Sequence, residues 1–141
     1  CEASAYGVHY RAIEANRPAF SLRANETTAA LSIAIEVGGH RAVAAVQRSE
    51  GQAILLSDQE MRDAQVMMAR EGMWVELAAA SSVAALRKLA TPLVQSARPI
   101  VCISTSSGFK DVGVGATPLP PCDGSWSEFV RAARSQGLSG V

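Results

Sequence analysis

The stretch EGMWVELAAASSVAAL, residues 71–86, is followed after a short gap by PIVCISTSSGFKD, residues 99–111. The first reads as a helix of small residues expected over 78–90, with Val83, Leu86 and Ala90 on one side and Arg87 and Lys88 near its end. The second opens on a continuous apolar run, residues 99–104, of the length expected for a central strand covered on both faces. It closes on a hydroxyl cluster, Thr105, Ser106 and Ser107. In open parallel α/β sheets ligands bind beyond the carboxyl ends of the strands, so this cluster lies where a site would be built.

Working outward, residues 53–56 form a brief apolar strand leading into the clearest local signal, Ser57-Asp58-Gln59-Glu60. Ser57 can cap the amide three residues on while Glu60 reaches back, a capping box, with Leu56 and Met61 placed as a hydrophobic staple. Met61, Ala64 and Met68 continue a buried face. Arg70 suits the negative helix end, and Gly72 the left-handed stop. Upstream, Ala42, Val43 and Val46 mark a short helix ending before Gly51. Residues 27–37 are ambiguous: Leu31, Ile33, Ile35 and Val37 alternate like a strand, while 27–34 holds good helix formers. The Gly38–Gly39 stop favours a helix. Ala5, Val8, Ala12 and Ile13 predict an opening amphipathic helix that ends before Asn16. Residues 112–124, rich in Gly and Pro, predict an irregular connector. Ser125 and Glu128 repeat the capping spacing before a terminal helix with Phe129, Val130 and Ala133 facing inwards.

The 141 residues suit one compact unit or part of a larger domain. The 13 basic and 13 acidic side chains are scattered, which argues against a nucleic-acid or membrane surface. No apolar run approaches the ~20 residues needed to span a bilayer. The chain starts at Cys1 with no basic and apolar leader pattern, so no signal peptide is expected. Cys1, Cys102 and Cys122 are widely spaced without a C-x-x-C pair, which suggests neither a disulfide framework nor a zinc site. Cys102 is expected to be a small buried hydrophobe, and a cytoplasmic location is the expectation. His9 and His40 have no carboxylate or cysteine at metal-ligand spacing, so no metal is expected.

The two opening segments resemble the C-terminal part of threonine synthases, within the tryptophan-synthase-β-like (fold type II) pyridoxal-phosphate enzymes. That family carries a block like E-G-(I/L)-(F/W)-V-E-P-x-S-A, matched here by Glu71 to Ala80, then T-G-x-G-L-K-D, matched by Thr105 to Asp111. The resemblance implies an α/β fold, three-layer α/β/α with a mostly parallel sheet. Residues 1–112 would form the C-terminal part of the cofactor-binding large domain, and residues 113–141 a Gly/Pro-rich connector and short helix. The implied cofactor is pyridoxal 5'-phosphate.

On this map Thr105 faces the pyridine nitrogen of the cofactor. A neutral hydroxyl there permits an unprotonated ring, which suits elimination and replacement more than transamination. Glu76 lies close to the ring, and it also sits where an acid favours a helix start. Ser106 and Ser107 replace the glycine and the His or Asn more common in this loop, so Ser106 is a further candidate contact. Leu77 replaces a proline. Ala78, Ala79 and Ala80 allow close approach of a flat cofactor, although alanine is also simply the best helix former. Lys110 and Asp111 match the family pattern and read as a structural surface pair.

A pyridoxal-phosphate enzyme needs a lysine to bond the cofactor. Only Lys88 and Lys110 are present, neither in the S-x-K-x-R type of context, so that lysine is expected upstream of Cys1. The glycine-rich phosphate cradle is missing as well, and Gly113-Val114-Gly115 is only a fragment of one. The implied reaction is γ-elimination of phosphate from O-phospho-L-homoserine followed by addition of water. Alternatives are a Ser/Thr dehydratase-like or cysteate-synthase-like enzyme, a non-catalytic binding module, and a nucleotide-binding α/β unit. The expected partners are the remainder of the parent enzyme and an amino-acid substrate, with the complete enzyme a homodimer.

Overall fold

Glu2 begins the first hydrogen-bonded element, and it is a strand rather than a helix. In the computed structural model, which describes residues 1–89, 99–111 and 122–138, β1 (Glu2–Ala3) pairs in parallel with β2 (Leu55–Leu56). Glu2 lies opposite Leu55, and Ala3 opposite Leu56. Between the strands run α1 (Val8–Glu14), a 3-10 turn (Leu31–Ile33) and α2 (His40–Arg48). After β2 come α3 (Asp58–Arg70), a 3-10 turn (Leu77–Ala80) and α4 (Ser81–Lys88). A 3-10 turn (Gly108–Lys110) and α5 (Trp126–Ser135) follow. The described residues are therefore mixed α/β around a two-stranded parallel sheet. None of their helices is long and apolar enough to cross a membrane.

Helix α3 organises the core, and its sequence signals are realised in full. Ser57 Oγ accepts from the Glu60 amide at 3.2 Å, and Glu60 Oε2 accepts from the Ser57 amide at 2.7 Å. Leu56 and Met61 flank this box and are both fully buried in one cluster, as a staple requires. At the far end Gly72 takes φ 83°. The Met73 amide donates to the Met68 carbonyl at 2.9 Å and the Gly72 amide to the Ala69 carbonyl at 3.0 Å. These two bonds make a Schellman stop. The apolar face of α3 packs on α4 and on the Leu77–Ala80 turn. Alanines 78, 79, 80, 84 and 85 are all buried there, and their small size lets the elements approach closely. Replacing Ser57 by alanine should lower stability by about 0.5–2 kcal/mol. Urea unfolding of the two proteins, followed by circular dichroism, measures it.

Helix α1 starts by a remote device. The Glu2 carboxylate, on β1, accepts from the His9 amide at 2.9 Å and the Tyr10 amide at 2.7 Å, satisfying two orphan donors of the first turn. Its Oε1 also lies 2.9 Å from His9 Nδ1, so His9 is paired with a carboxylate rather than isolated.

Four expectations are corrected. Residues 27–34 form no α-helix, only a single 3-10 turn at Leu31–Ile33. The Asp58 carboxylate takes the Thr28 hydroxyl and, at 2.7 Å, the Ala29 amide, while Thr28 Oγ1 takes the Ala30 amide at 3.1 Å. Side chains thus hold the amides in a local alternative to a helix. Residues 99–104 are not a buried strand: Val101 is 83% and Ile103 71% exposed, and no strand lies alongside them among the described residues. Without neighbouring strands the apolar run has no ladder to join, and Cys102 is accordingly only half-buried. In α4, as the spacing predicts, Val83 packs half-buried against the core, and Ala84 and Ala85 are buried beside it. In α5 Ala133 is buried while Phe129 is exposed and stacks on Trp126. Ala90, Gly113-Val114-Gly115 and most of the expected connector lie outside the described residues.

Candidate functional site

Two sequence-distant segments meet to build the site. Val75 and Ser107 form an antiparallel bridge. The Glu76 amide donates to the Ser106 carbonyl at 3.0 Å, and the Gly108 amide to the Trp74 carbonyl at 3.1 Å. A glycine is required at 108, because a Cβ there would fall 2.5 Å from the Trp74 ring. The block Glu71–Ala80 and the loop Thr105–Asp111 are therefore registered against each other by backbone bonds.

Glu76 is 6% exposed, and its carboxylate is fully engaged. The Ser32 hydroxyl donates to Oε1, and Lys110 Nζ donates to Oε2 at 3.1 Å. The Ser32 hydroxyl is the foremost cause holding this carboxyl below its ordinary value; burial opposes it, and Lys110 and Ser106 reinforce it. Ser32 reaches Glu76 because Asp58, at the start of α3, anchors residues 28–30 just before the Leu31–Ile33 turn.

Asp111 does not pair with Lys110 at the surface. Its Oδ2 accepts from Gln65 Nε2 at 2.6 Å and from the Leu77 amide at 2.9 Å, and Gln65 Nε2 also donates to the Val75 carbonyl at 2.8 Å. Asp111 thus ties the end of the loop to α3 and to the Leu77–Ala80 turn. Ser32, Gln65 and Asp111 were not candidates from the sequence. Gln65 carried a usable signal: it is a polar residue on the stripe of Met61, Ala64 and Met68, and a buried amide demands partners.

Thr105 is exposed, and its hydroxyl makes no hydrogen bond among the described residues. Ser106 is half-buried beside Glu76, and the Ser107 hydroxyl accepts from the Phe109 amide at 3.4 Å, capping the turn that follows. The structure brings Glu76 and Ser106 together and leaves Thr105 exposed, its hydroxyl without a partner among the described residues. Neither lysine is free: Lys110 is on Glu76, and Lys88 lies 2.9 Å from Glu60 and 3.0 Å from the Leu55 carbonyl. Cys122, Asp123 and Glu128 bring ligand atoms within 4.8 Å of one another. The two acids already accept amides at the start of α5, Asp123 from Ser125 at 2.8 Å and Glu128 from Asp123 at 2.9 Å.

No family model matches the chain. A threonine synthase of Methanocaldococcus jannaschii is 42% identical over 84 residues, covering 58% of this chain and 21% of the relative. A threonine synthase of Methanosarcina acetivorans is 38% identical over 105 residues, covering 72% of this chain and 26% of the relative. This chain is similar to threonine synthases. It spans only about a fifth to a quarter of the length of the curated relatives it matches.

Two paired carboxylates, the buried Glu76 and the partly exposed Glu60, make stability depend on pH. Glu76 and Glu60 both titrate below their ordinary value of 4.5, Glu60 mainly through its bond from the Ser57 amide. A depressed folded-state value contributes stability above the unfolded value and loses it as pH falls through the folded one. Stability should therefore be flat above the ordinary value of 4.5 and decline below it. Glu76→Gln should flatten that decline, as thermal unfolding between neutral and acid pH will read.

Proposed function

We propose that the chain is the C-terminal part of the large domain of a threonine synthase-like lyase that depends on pyridoxal 5'-phosphate. The parent reaction would be γ-elimination of phosphate from O-phospho-L-homoserine and addition of water to give L-threonine. The three-layer α/β/α architecture, the homodimer and the cytoplasmic location belong to the same proposal. The observation that carries it is the pairing of the Glu71–Ala80 block with the Thr105–Asp111 loop, in which the Thr105 hydroxyl is exposed and unpartnered among the described residues. That hydroxyl fits a ring nitrogen, since it can donate or accept. The residues present do not fit the covalent or phosphate ends of the cofactor, because both lysines are engaged and no glycine-rich cradle is described. Those groups belong to the remainder of the parent enzyme.

When bound, the cofactor supplies an electron sink. Thr105 would hold its ring-nitrogen edge. Glu76, fixed by Ser32 and Lys110, positions the Ser106 carbonyl and so the loop carrying Thr105. Ser106 and Ser107, in place of a glycine and a His or Asn, favour a second reading, a Ser/Thr dehydratase-like or cysteate-synthase-like enzyme.

A substitution series at Thr105 in the complete enzyme tests the proposal. Thr105→Ser should be tolerated. Thr105→Val keeps the shape, removes the hydrogen bond and should cost about 1–3 kcal/mol of transition-state stabilisation. Thr105→Asp should favour a protonated ring and divert turnover towards transamination. Wild-type activity with an unchanged cofactor absorbance spectrum in Thr105→Val would sink the assignment.

A further inference from the structure

A cavity of about 500 Å³ opens beyond the carboxyl end of β1, against Ser4 and Ala5. It shares no lining residue with Glu76, Ser106 or Thr105. Its lining includes Arg11 on α1 together with Phe20, Leu22, Arg23, Asn25 and Glu26. Both α1 and residues 20–24 are held by hydrogen bonds. Helix α1 is fixed at its start by the Glu2 carboxylate. Residues 20–24 are pinned to residues 36–38, with the Gly38 amide on the Phe20 carbonyl at 2.8 Å and the Leu22 amide on the Glu36 carbonyl at 2.9 Å. Glu36 Oε1 also accepts from the Ala24 amide at 3.0 Å.

The charges in this cavity have no internal use. Among the described residues neither Arg11 nor Arg23 pairs with a carboxylate, and Glu26 pairs with no cation. Guanidinium groups match carboxylate and phosphate oxygens in planar geometry. A dianion such as phosphate would meet repulsion from Glu26, whereas a zwitterion would use it. The half-buried Phe20 and Leu22 supply an apolar wall, and Asn25 a neutral donor and acceptor. Two cations, one anion and an apolar wall at the end of a parallel strand are the complement of a small amphiphilic zwitterion.

We infer that this cavity binds an apolar α-amino acid, its carboxylate on Arg11 and Arg23, its ammonium on Glu26 and its side chain against Phe20 and Leu22. This site is separate from the one at Thr105 and needs no cofactor.

Isothermal titration of the full chain tests it with L-leucine, L-phenylalanine, 3-phenylpropionate, phenethylamine and inorganic phosphate as probes. The two amino acids should bind saturably, and more tightly than the three controls. Arg11→Gln with Arg23→Gln should weaken them about tenfold or more. Glu26→Gln should weaken L-phenylalanine while sparing 3-phenylpropionate. Circular dichroism of each variant confirms that the fold is kept, and Arg23→Glu, a single change at an exposed position, repeats the test. The titrations contain no pyridoxal phosphate, so failure here and failure of the lyase reading give different results. Absence of saturable binding, preference for phosphate, or undiminished affinity in the arginine variants would overturn the inference.

Discussion

Asp111→Ala should destabilise the protein by about 2–6 kcal/mol, because each of two buried donors loses its acceptor at about 1–3 kcal/mol. The donors are Gln65 Nε2 and the Leu77 amide, and both residues are nearly fully buried. Gln65 would keep only the Val75 carbonyl, and the Leu77 amide would have nothing. Asp111→Asn retains an acceptor oxygen but loses the charge that strengthens both bonds, so it should fall between wild type and alanine. Urea unfolding ranks the three proteins. An alanine variant within about 0.5 kcal/mol of wild type, the range of an ordinary surface substitution, would mean that solvent replaces the carboxylate and that the loop is not tied through it.

Met61→Ala should cost about 2–5 kcal/mol, the range for truncating a long apolar side chain in a packed core. Met61 has no exposed surface and lies in the cluster with Leu56, Ala64, Met68 and the alanines of residues 78–85. Those small neighbours have few atoms with which to collapse into the space. Met61→Leu conserves most of the volume and should cost less than about 1.5 kcal/mol. The two variants compared by thermal unfolding separate filling from residue type; equal losses would place the effect in the staple geometry at the start of α3 instead.

What the chain's letters disclose follows from how far each device reaches. Helix α3 was legible from both ends because its box and its stop lie within residues 56–73. Helix α2, which has no side-chain cap, was legible from its apolar spacing alone, of which Val43 is the buried residue. Residues 27–34 were not, because the acceptor that fixes their amides is Asp58, about 30 positions away. The opening strand was hidden because Glu2 and Ala3 are strand-like only beside residues 55–56. Residues 99–104 have the composition of a covered strand, but composition cannot supply neighbours. At the site, the proximity of Glu76 and Ser106 followed from two motifs, whereas Ser32 and Asp111 enter through contacts that no local spacing encodes.

The indole of Trp74 packs closely against Gly108, so the loop bearing Thr105 sits in contact with a chromophore. The other tryptophan, Trp126, is 71% exposed and stacked on Phe129 in the terminal helix. A Trp126→Phe protein would therefore emit from Trp74 alone. Its fluorescence would follow the seating of that loop in real time, without any added label.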